Sequence, residues 1–258
     1  MTETTLYNGR FGNQVFRNVA VSIIAQKHNL HCVYSSADMF TRLGITLYSG
    51  TQMYENMVEL NDDNYFAALH QSNLSVNLDP NQAYFQTRDI SRMIHSYLNY
   101  APIKNKIIAN NPYQNRYANN DDIFIHIRLS DVAQHNPGIQ YYLYAISRLP
   151  STNVYIATDD PTHNIITQLL SSVPNTYLYD GDEIHTIQFG STCKYVILSH
   201  GSFSSTIGYL SFFSNVYYPE YDHIWFGNMF SIDGWVEIKR MDYNQTHQTN
   251  VQFNMRMF

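Results

Sequence analysis

The chain has 258 residues, 44% hydrophobic and 14% charged, so it can bury a sizeable core and is not a disordered polymer. A formal net charge of -6 argues against a general nucleic-acid binder. Two cysteines, Cys32 and Cys193, make neither a disulfide framework nor a zinc site, and no apolar run reaches the roughly 18–20 residues of a membrane span.

The opening MTETTLYNGR lacks the basic and apolar regions of a secretory signal, which makes a cytoplasmic location the expectation. Residues 12–29, GNQVFRNVAVSIIAQKHN, set Val15, Phe16, Val19, Ala20, Ile23 and Ile24 on one broad helical face. Lys27 and His28 suit the C-terminal end of that helix. HCVYSS, 31–36, reads as a strand, and loop, helix and strand together open an α/β domain. The pattern from 37 to 120 is weaker. RDISRMIHSYLNYAP, 88–102, reads as one helix ended before Pro102, and the polar NNPYQNRYANNDD, 110–122, reads as a linker.

Strands and helices then alternate. In DDIFIHIRLSD, 121–131, Ile123, Ile125 and Ile127 alternate with Phe124, His126 and Arg128, the period of a strand. Helices are expected at 139–149, at 161–173 with Pro161 in the first turn, around 182–192, and near 205–213. Strands are expected at 153–160, 176–180 and 194–201. This alternation predicts a parallel sheet covered on both faces, with a ligand beyond the carboxyl ends of the strands.

Three of those strand ends carry polar residues: His126 and Arg128; Thr158, Asp159 and Asp160; and His200, Gly201, Ser202, Phe203 and Ser204. Each set alone reads equally as turn and cap residues. An arginine at such a rim suits a phosphate, because its fork binds two oxygens and stays charged. HGSFSST leads into a helix whose free N–H groups favour anions, and Ser202, Ser204 and Ser205 either assist there or only cap the helix. In TDDP one aspartate caps the next helix, leaving the other to accept from a base or ribose. NGRFGNQ, 8–14, puts Gly9 and Gly12 at a loop-to-helix junction where backbone can approach a ligand. There is no Walker A lysine motif and no G-x-S-x-G elbow. YDGDE offers Asp180 and Asp182 either to a divalent metal or to an ordinary loop.

In order along the chain these pieces resemble one superfamily. NGRFGNQVFRNVAVSIIAQKHN is similar to the N-terminal Gly-Gly-Leu-Gly-Asn-Gln-Met-Phe motif of the α-1,2-fucosyltransferases of glycosyltransferase family 11. IHIRLSDV is similar to the His-x-Arg-Arg-x-Asp motif shared by α-1,2-, α-1,6- and protein O-fucosyltransferases. VYIATDDPT resembles the Asp-Asp-Pro segment of that group, and STCKYVILSHGSFSSTIGYLS its late Cys-Lys and Ser-Phe-Ser-Trp-Trp segment. The motifs span residues 8 to 211. The chain departs from them at Asn8, Leu129, Ser130, Ser205 and Thr206; Leu129 replaces a second arginine, and the last two replace tryptophans.

The resemblance implies a GT-B α/β architecture: two Rossmann-like lobes with parallel sheets facing a cleft, an acceptor-side lobe over 1–118 and a nucleotide-sugar lobe over 119–258. It implies inverting transfer from GDP-fucose to a glycan hydroxyl, α-1,2 linkage foremost, with no metal and no cofactor beyond the donor. Carried over by position, Arg128 binds the donor diphosphate, His126 and Asp160, with Asp159 beside it, hold the nucleotide, and Ser204 and Ser205 lie at the phosphates with Ser202 and Phe203. Gly9, Gly12, Asn13 and Gln14 close over the donor. The lack of an animal-type Golgi anchor fits a bacterial or viral enzyme. An inverting transfer needs a base; Asp131 is the first candidate and His135 the second, while Asp131 reads equally as a turn carboxylate. Three alternatives stand beside this expectation: a degenerate carbohydrate- or nucleotide-binding module, an enzyme using another nucleotide sugar, and an unrelated nucleotide-binding α/β enzyme, metal-dependent through Asp180 and Asp182. Trp225, Phe226 and Trp235 read as packing residues before sugar-stacking ones.

Overall fold

The computed structural model describes residues 1–4, 9–150, 152–221 and 227–244. Its chain forms two compact units, one from residues up to 114 together with 227–232, the other from 115 to 221 with 233–244. Asn8, Trp225 and Phe226 lie outside the described residues.

The first unit runs β1 (Thr2–Glu3), α1 (Phe11–His28), β2 (Cys32–Val33), α2 (Ala37–Arg42), β3 (Met57–Glu59), α3 (Tyr65–His70), β4 (Asn77–Asp79), α4 (Arg88–Asn99) and α5 (Ala101–Asn110). Its strands make two short parallel pairs, β1 with β2 and β3 with β4. The expected strand at 31–36 is therefore only two residues long. Helix α1 is buried on more than its apolar face. Asn18 donates to Ser35 O at 2.9 Å, the Ser22 hydroxyl accepts from Tyr48 N at 2.8 Å, and the buried Arg17 donates through Nε and Nη2 to Ala83 O at 3.3 Å. These bonds satisfy polar groups that burial would otherwise penalise. Asn29, in the left-handed region at φ 53°, ends the helix.

The single helix expected at 88–102 is two. Tyr100 is extended (φ -60°, ψ 126°) between α4 and α5, and Pro102 sits in the first turn of α5. Proline lacks only an N–H that has no intrahelical partner there, so it starts a helix as readily as it stops one. The expected linker at 110–122 is tied down where it enters the second unit. Asn120 Nδ2 donates to Thr192 O at 3.0 Å, and Arg116 Nη2 pairs with Asp122 Oδ2 at 2.9 Å.

The second unit continues β5 (Ile123–Ile127), α6 (Ile139–Ser147), β6 (Val154–Thr158), α7 (Asn164–Ser172), β7 (Thr176–Leu178), α8 (Glu183–Gly190), β8 (Tyr195–Ile197), α9 (Ser202–Leu210), β9 (Asn215–Pro219) and β10 (Val236–Ile238). The six strands form one parallel sheet in the order β7-β6-β5-β8-β9-β10. Counted within the unit, that is 3-2-1-4-5-6, the doubly wound order of nucleotide-binding α/β folds. Strand β5 is central and buried at every residue, which explains its unbroken apolar run. Ile123, Ile125, Ile127 and Leu129 enter one core with Tyr141, Tyr142 and Ile156. Leu129, where the resembled motif has its second arginine, is 2% exposed and belongs to that core. The alternation of the strand thus sends 127 and 129 one way and 126 and 128 the other.

Strands β9 and β10 complete the sheet where the sequence pattern pointed to none. Helix α7 starts at Asn164, not at Pro161: His163 is its N-cap, its Nδ1 accepting from Ile165 N at 3.2 Å, and Pro161 lies in the turn before it. Trp235 packs over Gly208, where a Cβ would meet its ring at 2.4 Å, and against Tyr209 and Tyr218.

Candidate functional site

In a doubly wound sheet the strand order reverses between the first and fourth strands, and the two loops leaving their carboxyl ends diverge and open a crevice. Here those strands are β5 and β8. Arg128 follows β5 directly, and Ser199, His200 and Gly201 join β8 to α9. Gly201 is the N-cap of α9 at φ 112°, a backbone that favours glycine. Helix α9 starts at Ser202, three residues ahead of the expected 205, so its first turn is Ser202, Phe203 and Ser204. Their N–H groups have no acceptor within the helix. Ser205 N already reaches Gly201 O at 3.1 Å.

The serine hydroxyls do not point where the resemblance put them. Ser204 and Ser205 are fully buried. Ser205 Oγ donates to Ser202 O at 2.9 Å. Ser204 Oγ shares hydrogen bonds with His126 Nδ1 at 2.5 Å and Ser199 Oγ at 3.0 Å. Ser199 in turn accepts from Arg128 N at 3.3 Å. A hydroxyl chain therefore stitches the end of β5 to the start of α9, and the Ser204 and Ser205 hydroxyls are spent within the fold.

His126 is 6% exposed, with the Phe203 ring 5.0 Å from its own. Burial pushes its imidazole down to about 4; Asp159 pulls the other way and Arg128 adds to the depression. It is neutral at pH 7 and brings no charge to the rim. Arg128 supplies the charge. Its Nη1 lies over Gly201, where a Cβ would sit 3.2 Å away. Its other edge is held by Asp131: Nε donates to Oδ1 at 3.1 Å, and Nη2 to Oδ1 at 3.0 Å and Oδ2 at 2.8 Å.

Asp159, at the end of β6, braces the loop after β5. Its Oδ1 accepts from Leu129 N at 2.7 Å and Ser130 N at 3.2 Å, and its Oδ2 from Ser130 Oγ at 2.5 Å. Burial opposes ionisation of this carboxyl, but the Ser130 hydroxyl and those two N–H groups outweigh it and hold the carboxyl below its ordinary range. Asp160 is turned away into a local turn. Thr162 donates to its Oδ1 through the hydroxyl at 2.7 Å and the N–H at 3.1 Å, and these bonds lower its pKa. His135 lies beyond Asp131 on the one-turn 3-10 helix Ala133–His135.

The structure thus gathers His126, Arg128, Asp131, Asp159, Phe203, Ser204 and the tip of α9. Sequence reasoning missed Ser199 and Ser130. The signal for both was a small hydroxyl residue just past the apolar run of a strand. In the first unit, Gly9 has φ 99°, and a Cβ there would strike the Asn13 amide at 2.0 Å. Asn13 Oδ1 accepts from Gln86 Nε2 at 2.9 Å. Gly12 lies inside the first turn of α1, and the buried Gln14 keeps an Oε1 with no hydrogen-bond partner. Asp182 is taken by helix α8 as its N-cap, accepting from His185 N at 2.7 Å. Among the described residues no group of three or more His, Cys, Asp or Glu is placed to hold a metal ion. No helix among them is long and apolar enough to cross a membrane.

Fold and rim together define a doubly wound α/β unit with an arginine and a helix N-terminus at its switch point. No protein-family model and no curated protein matches the chain. Among solved structures, the UDP-GlcNAc 2-epimerase from Neisseria meningitidis bound to UDP-GlcNAc is similar at 12% identity over 99% of this chain and 92% of that one, with a TM-score of 0.41.

Proposed function

We propose that the chain is an inverting, metal-independent glycosyltransferase of the fucosyltransferase superfamily, transferring L-fucose from GDP-fucose to a glycan hydroxyl through an α-1,2 linkage. The observation that carries this reading is the meeting of Arg128 with the N-terminus of α9 at the β5–β8 switch point. The four sequence motifs support it from the side of resemblance.

Transfer leaves negative charge on the departing diphosphate. Arg128 Nη1 and the N–H groups of Ser202, Phe203 and Ser204 are the groups that would take it up. At an effective dielectric near 20, two unit charges about 4 Å apart interact by roughly 4 kcal/mol. His126, neutral and bonded to Ser204, fixes the first turn of α9 and does not compete for the phosphate. Asp159 sets the backbone from which Arg128 and Asp131 project. Asp131 is the first candidate to take the acceptor's proton, with His135 second.

A second reading, a nucleotide- or carbohydrate-binding module without turnover, is favoured by the engagement of Asp131 with Arg128. Titration calorimetry with GDP and UDP, with and without chelator, tests both. The expected outcome is micromolar, chelator-insensitive GDP binding that is lost in Arg128→Ala, followed by transfer from GDP-fucose. Binding without transfer to any of a panel of glycans selects the module, and a preference for UDP discards fucose. No binding to folded protein refutes the donor site.

A further inference from the structure

The Arg128 guanidinium has two edges, and the structure treats them differently. Nη1 rests over Gly201 at the tip of α9. Nε and Nη2, the edge that grips a phosphate with two parallel bonds, are both given to Asp131. The partners are also unequal. The Arg128 side chain is 15% exposed and that of Asp131 45%. Between them, Leu129 N and Ser130 N are clamped by Asp159, so the backbone carrying the pair is held in place. Only the Asp131 side chain can leave cheaply, because water is at hand to solvate it.

We infer that Asp131 is an internal stand-in for the donor's phosphate: it competes for the Nε–Nη2 edge of Arg128, and the diphosphate displaces it. This rests on the donor-site reading above. The exchange links two events. While Arg128 grips Asp131, both carboxylate oxygens are engaged by the guanidinium and not presented to an acceptor. Once phosphate takes the arginine, the carboxylate is released beside the reacting centre. The acceptor hydroxyl then passes its proton to Asp131, and its oxygen's electron pair forms the new bond to the anomeric carbon. The bond from that carbon to the diphosphate oxygen breaks, and its electron pair leaves with the diphosphate. The base is thus delivered only when donor is bound.

Inorganic pyrophosphate and GDP, titrated calorimetrically into the wild type, Asp131→Asn, Asp131→Glu and Arg128→Ala, test the exchange. The expectation is that Asp131→Asn binds pyrophosphate about two- to fivefold more tightly, the range of a partly exposed ion pair. Its KM for donor should fall while kcat also falls. Asp131→Glu keeps the charge and should show no gain in affinity. A merely structural role would weaken binding and turnover together. If Asp131→Asn binds pyrophosphate no better than the wild type while Arg128→Ala still abolishes binding, the competition is wrong and the donor site stands. A gain in Asp131→Glu equal to that in Asp131→Asn also overturns it. If the folded wild type and Asp131→Asn bind neither probe, the donor site and the exchange fall together.

Discussion

His126 offers a sharp test, because its burial makes a signed prediction about pH. Its pKa falls from the ordinary 6.5 to about 4 in the fold, chiefly through desolvation. Between those values the unfolded chain binds a proton that the folded one refuses. The stabilisation is therefore complete above about pH 6.5 and is lost as the pH falls toward 4. The span from 6.5 to about 4 corresponds to about 3 kcal/mol. His126→Asn removes the titration and keeps a polar atom near Nδ1 to meet Ser204. At pH 7 the variant should be less stable by about 1–2 kcal/mol, because the ring that packs on Phe203 is lost. On acidification the wild type should lose its lead, and by pH 4 the variant should be the more stable. Urea unfolding of both proteins at steps from pH 8 to pH 4 gives the two curves. Carboxylates away from His126 titrate in both and cancel in the difference, and Asp159, which does interact with it, is held below its ordinary range. A constant gap across the range would mean that His126 does not resist protonation, and the account of its burial would fail.

Asp159→Asn tests the brace on the loop after β5. It should cost about 1–2 kcal/mol, from bonds to a charged but partly exposed acceptor, and should raise hydrogen exchange at Leu129 and Ser130. The depressed Asp159 carboxyl lends stability that is complete above its ordinary 3.8 and lost as pH falls through its lower folded value, a window below that of His126. Gly201→Ala places a side chain at φ 112° and a methyl 3.2 Å from Arg128 Nη1. Strain of about 1–3 kcal/mol should lower the melting temperature, and displacement of the guanidinium should weaken pyrophosphate binding; unchanged binding would separate Arg128 from the tip of α9. Arg128→Ala should reduce transfer by about 10²–10³ while far-UV circular dichroism stays the same.

The amino-acid sequence by itself determined the α/β class of the second unit and the rim where polar residues collect. Both follow from local pattern. Buried strands need apolar runs, the helices between them need a 3.6-residue period, and neither demands knowledge of a distant residue. Tertiary structure decided what those polar residues do. Ser204 reads as a phosphate ligand along the chain, yet its hydroxyl is spent on His126, 78 positions away, and Ser199. TDDP reads as one capping aspartate and one free for a base or ribose, yet Asp159 carries the backbone of Leu129, 30 positions away. Pro161 marks a helix start by rule, but His163 caps α7 two residues later. Leu129 reads as a lost charge beside the donor, yet two residues past the end of β5 it joins the core with Tyr141 and Tyr142. Periodicity records which side of an element is buried. It does not record which buried hydroxyl, amide or carboxylate will be waiting there, because that partner comes from another strand whose approach is set only when the sheet closes.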